Sequence, residues 1–181
     1  MIDSIAEFIK QIRLAADFLL QLPKRLMSVI NETHYDYHDW KDRVEAQKKN
    51  AGLREVGKKM VSLYFSKGSI LAYVQSSRFG ADEDDLKFLK ELFSEVADGL
   101  DELKEMIEEI GLFKIAFLLE AAPLISKASV AYRVFSTLPD PDLRDRSILE
   151  EVCRGMDDLI VAGQKLIKES EEGRKLIDYT Y

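Results

Sequence analysis

The chain has 181 residues, 46% of them hydrophobic and 33% charged, with a formal net charge of −7. That length suits one domain with a sizeable core, and so few Gly and Pro (9 and 4) exclude a collagen-like or low-complexity chain. The acidic balance disfavours nucleic acid as a partner, since such binding is driven by counterion release onto a net positive surface.

Apolar residues recur at helical spacing, and no segment shows the alternation of β-branched residues that marks a strand. The expected fold is all-α, an antiparallel bundle of about five helices, some long and kinked at proline. A first helix is predicted over residues 3–22, on Ile5, Phe8, Ile9, Ile12, Ala16, Leu19 and Leu20. Pro23 ends or kinks it before KRLMSVI, because proline lacks an amide donor and clashes with the preceding turn. Asp3, Glu7, Lys10, Arg13 and Asp17 punctuate this segment, so it reads neither as a signal peptide nor as a membrane span. A second helix is predicted from near Tyr37 to about Ser77. It is polar at first, then apolar on Leu53, Val56, Met60, Leu63, Ile70 and Val74. Gly52, Gly57 and Gly68 weaken it, and a break is expected near residue 51.

GADEDDL then supplies a turn glycine and acids suited to a helix N-terminus. Beyond it, Leu86, Leu89, Phe93, Val96, Leu100, Leu103, Ile107 and Ile110 step alternately by three and four. This is a heptad stripe of coiled-coil type, widened by Leu92, Ala97 and Met106, and it calls for cover from more than one neighbour. Burial inside the chain is expected at Leu89, Val96, Leu100 and Leu103. Residues 112–137 form the most apolar helix, kinked in its middle by Pro123 and expected at the centre of the bundle. STLPDPDLRDRS reads as a turn. The last helix follows on Leu149, Val152, Met156, Leu159, Gly163 and Leu166, and the polar end KESEEGRKLIDYTY is expected to fray.

Charge is unevenly spread. Residues 24–78 carry 11 Lys or Arg against 6 Asp or Glu, net +5, whereas residues 82–109 carry 3 against 12, net −9. Two neighbouring helices with complementary faces would produce this pattern. The chain reads as one domain over 1–181. FLLQLP and FLLEAAP, DWKDR and DLRDR, VGKKM and AGQKL recur in the same order, so an ancient duplication of halves about 1–80 and 100–181 stands beside chance matching of amphipathic helices.

THYDYHDWKD holds both histidines, His34 and His38, and Asp42 extends their helical face. Two imidazoles and a carboxylate are candidate metal ligands. A third histidine is lacking, however, and the remaining ligands would have to come from another helix, so the expected reading is a polar helical surface with no metal centre. HDWK also has the His-x-x-Lys spacing of phosphoaccepting bundles, but Asp42 stands where a glycine is expected and Asp39 would repel phosphate. Cys153, the sole cysteine, sits at an apolar helical position and is expected to be an inert core thiol in a cytoplasmic protein. With no Gly-rich phosphate loop and no nucleophile motif, the chain is expected to be non-enzymatic and without a cofactor.

These features favour protein–protein interaction or self-association, in an adaptor, regulatory or assembly role. The acidic face Glu91, Glu95, Asp98, Glu102, Glu105 and Glu109 is the expected docking surface. One alternative is a membrane-active bundle, with Phe8, Phe18 and Leu19 near Lys10, Arg13, Lys24 and Arg25 on an amphipathic first helix but no stable span. The other is metal binding through His34 and His38. No nucleic acid is expected, and a small-molecule ligand is left open.

Overall fold

A computed structural model describes residues 2–32, 40–62, 69–109 and 121–179. Among these the regular structure is helical throughout: α1 (Ile2–Glu32), α2 (Trp40–Val61), α3 (Ile70–Gln75), α4 (Glu83–Glu109), α5 (Ala121–Thr137), α6 (Asp140–Leu143) and α7 (Arg146–Tyr179). The all-α expectation holds.

The long helices pack in a closed circuit: α1 on α7, α7 on α2, α2 on α4, α4 on α5 and α5 back on α1. The short α3 lies against α7, and α6 touches α4 and α7. Each long helix turns its apolar stripe inward. From α1 come Ile12, Ala15, Ala16 and Leu19; from α2, Leu53, Val56 and Met60; from α7, Leu149, Val152, Met156, Leu159 and Leu166. The heptad stripe of α4 is the deepest. Leu86, Leu89, Phe93, Val96, Leu100 and Leu103 are all fully buried. At about 1.5–3 kcal/mol per buried side chain, a stripe of this length rivals the net stability of a whole domain. Phe93 packs against Tyr132 and Phe135 of α5, with ring centroids 6.1 and 6.4 Å apart. Where α5 meets its neighbours, two hydroxyls bond to helix carbonyls: Ser129 donates to Ala97 at 3.1 Å and Tyr132 to Val152 at 3.3 Å.

Four local expectations are corrected or made specific. First, of the two outcomes expected at Pro23, the helix does not end there: α1 continues through it over KRLMSVI to Glu32. Second, the second predicted helix is two helices, and the interruption is not at residue 51, since α2 is continuous over Trp40–Val61. Ser69 instead has extended backbone and caps α3, its hydroxyl accepting from the Ala72 amide at 3.0 Å while donating to Asp157 of α7. Third, the polar segment after Leu166 is helical as far as the described residues go, to Tyr179, and Arg54 and Asn50 of α2 reach across to Glu171 and Ser170 within it. Fourth, the described part of the helix expected at the centre, α5, buries Ile125, Ala128, Ala131, Tyr132 and Phe135 in the core but also has an outer face, with Lys127, Val130 and Arg133 exposed. Pro123 is the third residue of α5. Residues 110–120, and with them Ile110, lie outside the described residues.

Two glycines bring α2 and α7 into backbone contact. A Cβ on Gly163 would sit 2.8 Å from the Gly57 carbonyl oxygen and 2.8 Å from the Met60 Cβ; one on Gly57 would sit 2.9 Å from the Gly163 carbonyl oxygen. These are the glycines that the VGKKM and AGQKL segments align. Close packing gives a reason for glycine at both positions that needs no duplication.

Candidate functional site

His34 and His38 lie outside the described residues. Asp42 lies in the first turn of α2. Among the described residues no three His, Cys, Asp or Glu side chains come together as a metal-binding group. Cys153 is fully buried, and burial, helped by the charges of Asp157 and Glu150, pushes its thiol far up, away from the reactive thiolate.

The acidic face of α4 is built as the heptad phase requires, opposite the buried stripe. Part of it is used within the fold. Glu102 pairs with Lys59 of α2, joining the acidic and basic blocks of the sequence. Asp98 and Asp101 hold Arg133 of α5 at 2.8 and 2.6 Å, and Asp101 first, then Asp98, raises the pKa of that guanidinium. Glu91, Glu95 and Glu105 remain exposed, with no ionic or hydrogen-bonding partner among the described residues. The backbone of Glu109 closes the helix.

The start of α4 is pinned by carboxylates. Asp82 accepts from the Asp85 amide at 2.8 Å, and Asp85 accepts from the Gly80 amide at 2.9 Å and the Tyr73 hydroxyl at 3.0 Å. The Gly80 amide, then the Tyr73 hydroxyl and neighbouring amides, hold the Asp85 carboxyl below its usual range. Tyr73 is raised by burial and by its bond to Asp85. Of the acids of GADEDDL, Asp82 caps α4 and Asp85 ties the preceding turn to it, while Glu83 and Asp84 are exposed in its first turn. Ala81 completes this turn at a positive φ of 52°. On α7, Asp158 is raised by burial and by the charges of Asp17 and Asp157, against the opposing pull of Arg154.

A second feature was not anticipated from sequence. Between α2 and the end of α7 lies a cleft of about 250 Å³ lined by Gln47, Asn50, Ala51, Arg54, Ser170, Glu171 and Arg174. Asn50 is 5% exposed and donates its amide to the Ser170 carbonyl at 2.5 Å, and its buried Oδ1 has no partner among the described residues. Arg54 reaches Glu171 through one terminal nitrogen at 3.4 Å, while its buried Nε has no partner among the described residues. A signal for this site did exist. Asn50 stands in phase with Leu53, Gly57 and Met60, and Ser170 with Leu159, Gly163 and Leu166, so each is a polar residue at a core position of its helix.

No protein-family model, curated protein or solved structure matches the chain. Among the described residues, no helix is long and apolar enough to cross a membrane.

Proposed function

We propose that the chain is a non-enzymatic helical protein that acts through protein–protein interaction, offering the outer face of α4 to a basic segment of a partner. The observation that carries this reading is the division of α4. Its apolar stripe is consumed by the chain's own helices, whereas Glu91, Glu95 and Glu105 are exposed and without partners among the described residues. Like charges held along one rigid helix favour a complementary surface and steer its approach. The quiet, buried Cys153 fits a role without thiol chemistry.

The packing of α1 favours this reading over the membrane-surface one. Ile12, Ala15, Ala16 and Leu19 are already buried in the core, so laying that face on a bilayer would mean leaving the fold.

The test is the anisotropy of a labelled lysine- and arginine-rich helical peptide titrated with the full chain. Binding should weaken with salt and be largely lost in the triple variant Glu91→Gln, Glu95→Gln, Glu105→Gln. It should survive in a control with equal charge loss elsewhere: Asp145→Asn, Glu169→Gln, Glu172→Gln. Equal binding by both triple variants would show that general acidity, not α4, is responsible.

A further inference from the structure

We infer that Phe88 is the apolar anchor of the α4 face, and that the partner fitting there is an amphipathic helix with a large apolar side chain in line with its lysines and arginines. The inference rests on the proposed role of that face and adds what the partner must carry besides charge. Phe88, Glu91, Glu95, Asp98, Glu102 and Glu105 are all exposed and step along α4 by three and four residues, so the aromatic ring stands in the same outward stripe as the acids. Among the described residues Leu14, Phe88, Val130 and Val161 are the exposed large apolar side chains, each on a different helix. Phe88 alone is aromatic, and it alone shares a stripe with the unpartnered glutamates.

The ring is 47% exposed yet held in place. Tyr73 of α3 meets it edge-on, with centroids 6.0 Å apart and planes at 79°. Tyr73 is itself fixed, its hydroxyl donating to Asp85 at 3.0 Å and its ring packing against the buried Phe79 at 5.7 Å. An aromatic ring positioned in advance and still half open to water offers a partner apolar area with little ordering cost.

The charges locate the contact on the first half of the stripe. Asp98 and Glu102 are engaged by Arg133 and Lys59, whereas Glu91 and Glu95, one and two turns beyond Phe88, are not engaged among the described residues. Lys87 is an exposed cation beside this stretch, but Glu83, Asp84, Glu91 and Glu95 outnumber it, so the balance still draws a cationic partner. From Phe88 to Glu95 the axis rises about 10 Å, which a second helix matches residue for residue when its apolar and basic positions repeat by three and four.

The test uses two labelled helical peptides of equal charge, titrated into the full chain and followed by anisotropy. Each has lysines three, four and seven residues on either side of a central position, so that it fits in both directions; that position is Leu in one and Gln in the other. The Leu peptide should bind about tenfold more tightly, and this ratio should persist as salt weakens both, because apolar contact is not screened. With Phe88→Gln the ratio should fall towards one, and Phe88→Leu should restore most of it, as coupling between touching groups requires. Equal binding of the two peptides by the parent chain, still lost in the Glu91, Glu95 and Glu105 triple variant, would overturn the anchor and leave the acidic face standing. Binding of neither peptide would overturn both. A parent that is dimeric by light scattering and becomes monomeric as Phe88→Gln would also overturn the proposal, by making a second copy of the chain the occupant.

Discussion

Asp85 and Asp158 titrate in opposite senses, and the difference is visible in what surrounds each. Asp85 accepts hydrogen bonds that favour its charged form, so its folded pKa lies below the unfolded value. The stability it contributes is present above the ordinary carboxylate range and is lost as pH falls through the folded pKa. Asp158 is raised, so its ionisation costs stability at neutral pH, and that cost vanishes once pH falls below the unfolded pKa. Asp85→Asn should therefore lower the melting temperature at pH 7, and Asp158→Asn should raise it. Both differences should shrink towards zero in acid. Thermal melts of the two variants and the parent from pH 7 down to 3 check this, and a Tm difference of either variant that stays constant with pH would show that charge is not its origin.

At the scale of elements, the crossing of α2 and α7 brings two backbones together, because a carbonyl oxygen stands where a side chain would go. Gly163→Ala should cost about 1–3 kcal/mol, the usual penalty for overpacking, although alanine is the better helix former by about 1 kcal/mol. Gln164→Ala, next in sequence but exposed, should change stability by no more than about 0.5 kcal/mol. Denaturant midpoints of the two variants separate packing from propensity.

The same contrast explains what the sequence could show. The stripe from Leu86 to Ile107 and the run from Leu149 to Leu166 were legible because one period persists over several turns and one face is uniformly buried. The extended backbone at Ser69 was not, since Leu53, Val56 and Met60 earlier and Ile70 and Val74 after it are all buried apolar residues and spacing alone carries no sign of the break. The four-residue α6 was hidden in a proline- and aspartate-rich stretch that reads equally well as a turn. The outward acids of α4 could be read from the heptad phase, but not which of them Lys59 and Arg133 would engage, because those pairings depend on how distant helices meet. The cleft was the least visible. Asn50 and Ser170 are far apart in sequence, and each alone is only a polar residue in an apolar phase.

At the scale of the molecule, the closed circuit of helices makes each apolar stripe depend on the others, and α4 contributes the most completely buried one. If the chain's own helices cover that stripe, α4 faces the outside only with its charges, and docking there leaves the core untouched. If a second molecule covered it, the acidic face would be the rim of an obligate interface instead. Leu100 discriminates between the two, being fully buried among side chains with no charged partner for a carboxylate. The decisive measurement is circular dichroism of Leu100→Asp together with light scattering of the variant and the parent. Burial within the chain predicts a variant that has lost cooperative thermal unfolding and most of its tertiary structure, beside a parent that keeps both as a monomer on dilution. A Leu100→Asp protein that is monomeric and fully folded, where the parent self-associates, would contradict the account and make the stripe an interface between chains.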